Sequence, residues 1–304
     1  MSRLPVPSLV VCLAAAVLIA LPGCHSGAPS ADQQIRIKGS DTLVGLGQRW
    51  AEAFIALHPE VFISVTGGGS GTGIASCEEG SCDVAQASRE IKADEQQKIK
   101  AAIGNDALEY VVAWDGISVI VNPANPIHQI TLAQLSDMYT GKITNWRDLG
   151  GPDAEIVLLA RETSSGTYAF FKKTVLQLGG KLKDADYTDS AILSTSNVTI
   201  HDEVAANPNA VGYVGLAFVD DKVRTLAVAH DAKGPFLQPH TDNILDKTYP
   251  IARPLYNYLA HAPTGVVKQY MDFILGPEGQ KLVTEMGFVP VPKPAARSGA
   301  THGR

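Results

Sequence analysis

Cysteine is scarce, with four in 304 residues, and no pair stands in the C-x-x-C spacing of a structural zinc site. Neither a disulfide-built scaffold nor a metal-held fold is indicated. Basic residues are not in excess: 25 Lys and Arg face 31 Asp and Glu, a formal charge of −6. No overall basic field exists to gather a nucleic acid. The composition of a disordered chain is absent too, since 45% of the residues are hydrophobic and 18% charged, ordinary values for one or two globular domains. The eight histidines are scattered, without H-E-x-x-H or a close pair to hold a metal, and single ones such as His201 and His261 read as surface or structural residues. No complete G-x-x-x-x-G-K-[ST] or G-x-G-x-x-G string occurs, nor any repeat of short period. Ser70 and Ser165 stand in neither a G-x-S-x-G elbow nor an S-x-x-K string, so a secreted serine hydrolase or phosphatase, kept as a rival reading, lacks a visible base.

The first residues read as an address. Arg3 supplies a positive start, Leu9 to Leu21 form an apolar run too short to span a bilayer comfortably, and Leu21-Pro22-Gly23-Cys24 follows. A secretory leader over 1–23 is predicted. The string resembles a bacterial lipobox, although Pro22 is a less usual occupant, and the resemblance implies lipidation of Cys24; an ordinary secretory leader is the alternative. Either way the chain works outside the cytoplasm, in the periplasm or at the cell surface, with Cys24 as the membrane anchor in the first reading. Cys12 leaves with the leader, and in an oxidising compartment a disulfide between Cys77 and Cys82 is expected. Residues 24–34 read as a flexible tether and 291–304 as a disordered tail.

Between these ends, short apolar strands alternate with amphipathic helices, the α/β pattern. Strands are predicted at 35–37, 62–65, 84–87, 156–160 and 211–214. Helices are predicted from Leu46, Trp50, Phe54 and Leu57 at helical spacing, and at 93–102, 132–139, 167–178, 198–206, 266–275 and 279–286. Residues 110–121 (YVVAWDGISVIV) read as two strand-like runs joined at Asp115-Gly116, suited to crossing between two lobes, and 249–259 as a return crossing. Trp50, Trp114 and Trp146 read as core residues.

Three loops share a composition that needs explaining: Gly39-Ser-Asp-Thr-Leu43, Gly69-Ser-Gly-Thr-Gly73 and Arg161-Glu-Thr-Ser-Ser-Gly-Thr167. Glycine permits close backbone approach, the hydroxyls donate hydrogen bonds, and the first N–H groups of a helix are free and partly positive. Capping alone would explain any single loop. Three together, one carrying Arg161 with its planar donor fork, describe a holder for a small oxyanion.

With these strings, Asp83-Val-Ala-Gln-Ala-Ser-Arg89, Thr140-Gly-Lys-Ile-Thr-Asn-Trp146 and Val211-Gly-Tyr-Val-Gly215 fall in order over roughly 250 residues. The chain thereby resembles the solute-binding proteins of the bacterial phosphate ABC transporter, the PstS type. The resemblance implies a two-lobed type II periplasmic binding fold, each lobe a mixed sheet flanked by helices, with 35–116 and 250–290 in one lobe and 117–249 in the other. It implies phosphate bound in the cleft by Thr42, Leu43, Ser70, Arg161, Ser165, Gly166 and Thr167, by hydroxyls, backbone N–H groups and the guanidinium. It further implies a monomer without cofactor, metal or catalysis, which delivers its ligand to permease subunits and their ATPase.

One departure matters. Well-known members of that family place an aspartate after the Ala-Ser of the Asp83-to-Arg89 string, where it accepts a hydrogen bond from protonated phosphate; this chain has Arg89 there. A site made only of donors would welcome sulfate, so the acceptor must lie elsewhere. Asp115, pairing with Arg89, is the first expectation, with a turn role before Gly116 as its alternative; Glu162 and Asp41 come after it. Arg89 reads as a second ligand or as a salt-bridge partner at the cleft rim. Sulfate or another tetrahedral oxyanion remains the alternative ligand, and sensing an alternative role.

Overall fold

The computed structural model describes residues 31–292. The expected leader, Cys24 and residues 293–304 lie outside the described residues. Where the tether was expected, residues 31–33 already form a 3-10 turn and Gln34 opens a strand. At the other end Val291, the first residue of the expected tail, is held by its N–H donating to Gln280 Oε1 at 2.8 Å.

In chain order the elements are β1 (Gln34–Gly39), α1 (Val44–Leu57), β2 (Phe62–Thr66), α2 (Ser70–Glu78), β3 (Val84–Ala87), α3 (Ala93–Ile103) and β4 (Leu108–Val121). There follow β5 (Gln129–Thr131), α4 (Leu132–Tyr139), β6 (Val157–Arg161), α5 (Gly166–Phe171), β7 (Ile192–Ser194), α6 (Asn197–Ala206) and β8 (Ala210–Gly215). The chain closes with β9 (Arg224–Thr225), β10 (Ala227–Ala229), α7 (Thr241–Leu245), β11 (Ala252–Leu259), α8 (Gly265–Leu275) and α9 (Pro277–Glu285). One mixed sheet runs β2-β1-β3-β11-β4-β8-β6-β7, with β9 beside β4, and β10 pairs with β5 separately. β1, β2 and β3 are parallel, β11 is antiparallel to both β3 and β4, and β8 is antiparallel to β4 and parallel to β6.

The two lobes share this sheet and differ in their cores. One core gathers Ile35, Leu46, Trp50, Phe54, Val112 and Leu255; the other gathers Ile117, Leu135, Tyr139, Trp146, Phe171 and Ile251. Leu46, Trp50 and Phe54 face inward from α1 at helical spacing, and the Trp50 indole donates to Gly279 O of α9 at 2.8 Å. Leu57, the fourth residue of that periodic set, is 64% exposed, because the stripe ends where His58 turns the chain.

β4 is one strand of 14 residues, where two runs were expected. Gly116 makes no turn. A side chain there would begin 2.8 Å from Ile244 Cδ1 and 2.9 Å from Pro239 Cβ, so the glycine lets α7 lie against the strand. The expected helix over 167–178 is α5 followed by a π-helical stretch at Lys172–Leu176.

The expected Cys77–Cys82 bridge is corrected: both thiols are free and buried. Each packs as a small apolar group, in a cluster with Ile74, Ala85 and Ile99, and Cys82 Sγ donates to Gly73 O at 3.9 Å. No helix among the described residues is long and apolar enough to cross a membrane.

Candidate functional site

The three hydroxyl-rich loops meet where the lobes face each other. The first joins β1 to α1, the second joins β2 to α2, and the third joins β6 to α5. Each therefore delivers a strand end to a helix start, the geometry that points free N–H groups at one place. Across the cleft, Thr42 Oγ1 and Thr167 Oγ1 lie 3.1 Å apart, and Gly71 N–H donates to Ser164 O at 3.1 Å. A side chain on Gly166 would begin 2.2 Å from Ser70 Oγ, and one on Gly69 2.6 Å from Ser164 O. Only glycine permits this approach at either position.

Arg161 is the centre of the arrangement. It ends β6 with 1% exposure. Its Nη2 donates to Asp41 Oδ2 of the opposite lobe at 2.9 Å and to Thr195 O at 2.8 Å, and its Nε to Ser194 O at 3.3 Å. Its Nη1 is buried without a partner among the described residues. A buried guanidinium nitrogen left so costs free energy until an acceptor meets it. The backbone is fixed as well: Arg161 N–H donates to Tyr213 Oη at 3.2 Å, and Tyr213 is stacked on Phe171 and hydrogen-bonded to Tyr187. Burial holds the Tyr213 phenol neutral, its pKa pushed well up.

The remaining expected residues sit as follows. Ser70 Oγ accepts from Ser88 N–H at 3.0 Å and lies 3.3 Å from Ser88 Oγ. Ser165 caps α5, its Oγ accepting from Thr167 N–H at 3.1 Å and Tyr168 N–H at 3.4 Å. Leu43 N–H turns back to Ser40 O at 2.9 Å, so two backbone donors expected for a ligand, those of Leu43 and Thr167, are engaged within their own loops. Both serine oxygens accept from backbone N–H groups, which does nothing to activate either as a nucleophile.

Two expectations are corrected. Asp115 does not pair with Arg89. It is 1% exposed and faces Arg253, with Oδ2 accepting from Nη2 at 2.8 Å and Nε at 3.1 Å, while Oδ1 accepts from Leu216 N–H at 3.1 Å. Arg253 in turn donates to Ser88 O at 2.8 Å, so the pair braces the back of the cleft. Burial lowers the Arg253 pKa, and Asp115 opposes that shift. Arg89 takes the salt-bridge role: Nη1 and Nη2 grip Glu95 at 2.7 and 2.6 Å, and Nη1 also donates to Glu90 O at 2.9 Å. Burial works against the charge on Glu95, but the bonds from Arg89 and from Lys92 N–H outweigh it and hold its carboxyl below the usual range. The motif still matters through Ser88, which sequence reasoning missed, as it missed Tyr213, Arg253 and Glu95. Tyr213 stood inside a quoted string; Arg253 and Glu95 carried no local signal.

Beside this site lies an interlobe cavity of about 530 Å³, lined by Arg89, Lys92, Phe170, Lys173, Arg253 and Tyr256. Glu90 and Lys173 face each other across it at 3.7 Å.

The chain matches the family model described as a PBP superfamily domain over residues 26–278. It is 32% identical over 267 residues to the phosphate-binding protein PstS of Bacillus subtilis, covering 87% of this chain and 83% of that one. A Clostridium perfringens structure with bound phosphate is 34% identical with a TM-score of 0.74, covering 85% of this chain and 100% of that one. An ABC-type phosphate transport receptor from Vibrio cholerae is 29% identical with a TM-score of 0.69, covering 85% and 100%.

Proposed function

This chain belongs to the phosphate-binding PstS family within the PBP superfamily, and from that premise we propose that it binds inorganic phosphate outside the cytoplasmic membrane and delivers it to an ABC permease driven by a partner ATPase. It is a binding protein and performs no covalent step. The observation that carries the reading is Arg161, buried, tied across the cleft to Asp41, with Nη1 unpartnered among the described residues and the hydroxyls of Thr42, Ser70 and Thr167 in the loops around it. The ligand bridges the lobes: Thr42 and Ser70 act from one side, Arg161, Gly166 and Thr167 from the other. Ser165 shapes the third loop by capping α5, and Leu43 holds the first. Closure excludes water and so strengthens each hydrogen bond.

Residues 1–23 act as the leader, and Cys24 carries the lipid that tethers the protein to a membrane; the lobes are 35–116 with 250–290, and 117–249. The protein works as a monomer. Calorimetry on the leaderless chain, stripped of ligand by unfolding and refolding, is expected to give saturable one-to-one phosphate binding tighter than sulfate binding. Arg161→Met should weaken it at least a hundredfold, about 2.7 kcal/mol. Tighter binding of sulfate, or no binding of phosphate, would overturn the reading.

A further inference from the structure

We infer that Asp41 is the residue by which this site tells protonated phosphate from sulfate, an inference that rests on the proposed phosphate site. Among the described residues, the other carboxylates near the cleft are already engaged. Asp115 is taken by Arg253 and Leu216 N–H, Glu95 by Arg89 and Lys92 N–H, and Glu90 faces Lys173 in the open. Glu162 Oε1 accepts from Ser164 Oγ at 3.1 Å. Asp41 alone of these touches Arg161, and it immediately precedes Thr42, whose hydroxyl meets Thr167 across the cleft.

Asp41 is also held in place from its own lobe. Gly68 N–H donates to Oδ1 at 2.8 Å, and a side chain on Gly67 would begin 2.5 Å from that oxygen. The neighbouring loop is thus built around the carboxylate. Each oxygen takes one protein donor, Gly68 N–H or Arg161 Nη2, and a carboxylate oxygen has lone pairs for two. Asp41 therefore keeps acceptor capacity beside the guanidinium that faces the anion. Phosphate brings a P–OH to that acceptor and forms a charge-assisted hydrogen bond. Sulfate has no proton to give, and sets an oxygen lone pair against a carboxylate. The fixed acceptor lies on the first loop, 48 residues before Arg89.

The test compares phosphate, arsenate, sulfate and monofluorophosphate by calorimetry on the wild-type chain, Asp41→Asn and Asp41→Ser. Arsenate carries the same proton as phosphate; sulfate and the monofluorophosphate dianion carry none. The wild type is expected to prefer phosphate over both proton-free anions. In either variant those two preferences should fall at least tenfold, while the phosphate-to-arsenate ratio stays within twofold. Asn and Ser both keep an acceptor for Gly68 N–H, so one variant serves where the other fails to fold. A phosphate-to-sulfate ratio unchanged in a folded variant would overturn the role of Asp41 and leave the phosphate site standing. A wild-type chain that binds no phosphate would overturn both.

Discussion

The carboxylate of Asp115 is kept from the cleft by Arg253, which claims it with two N–H groups at 0% exposure for both side chains. Breaking such a pair leaves a buried charge without its partner, a loss of about 3–5 kcal/mol. Asp115→Asn is therefore expected to lower the unfolding free energy by about 3 kcal/mol or more in urea denaturation, with the phosphate-over-sulfate preference unchanged. A preference that shifted with stability intact would return Asp115 to the binding site. At this scale the sequence discloses groups whose chemistry is local. Arg161 and its hydroxyl neighbours stand together in one string, and Thr42 and Ser70 in two others. Pairings remain hidden when their members are far apart: Asp115 and Arg253 are 138 residues apart, and Asp41 meets Arg161 only because two loops face each other across the lobes.

Among the elements, α5 leaves almost no room at its start, because its first residue fills the gap between Ser70 and Ser88. A Cβ on Gly166 would begin 2.2 Å from one hydroxyl oxygen and 2.6 Å from the other. Gly166→Ala is expected to hold the lobes apart and weaken phosphate binding about a hundredfold, about 2.7 kcal/mol, while the unfolding temperature moves little. Calorimetry and small-angle scattering with and without phosphate would check it; a variant that still compacts and binds normally would refute it. Most elements are legible from periodicity, as with α1 from Leu46, Trp50 and Phe54, or β3 from its four buried residues. Gly116 misleads because glycine in a strand and glycine in a turn look alike until the neighbour is known. The π-helical stretch after α5 escapes for a similar reason, since a shift in hydrogen-bond register leaves the apolar spacing nearly unaltered.

For the whole molecule, the α/β class follows from the alternation of strands and helices, whereas the antiparallel return of β11 between β3 and β4 depends on contacts no local pattern encodes. Stability against pH is set at several separated sites. His201 Nδ1 and Nε2 lie 2.9 and 2.7 Å from Asp202 and Asp220, tying α6 to the loop after β8. Burial works against its charge, but the two carboxylates outweigh it and raise its pKa above 6.5. Its contribution is full below that ordinary value and fades as pH rises through the raised one. The carboxyls of Asp220, paired with His201, and Asp186, paired with Lys172, lie below their usual range, so their contributions fade as pH falls through those lowered values. His201→Gln should accordingly lower the unfolding temperature more at pH 6 than at pH 8.5, and an equal loss at both would contradict the assignment. The two buried thiols carry a different consequence. Burial pushes Cys77 up to about 11 and Cys82 up to about 12, so the thiolate that exchange chemistry requires is rare near neutrality. Both sulfurs are buried as thiols, so an approaching disulfide or oxidant meets two enclosed, protonated groups in place of a reactive thiolate.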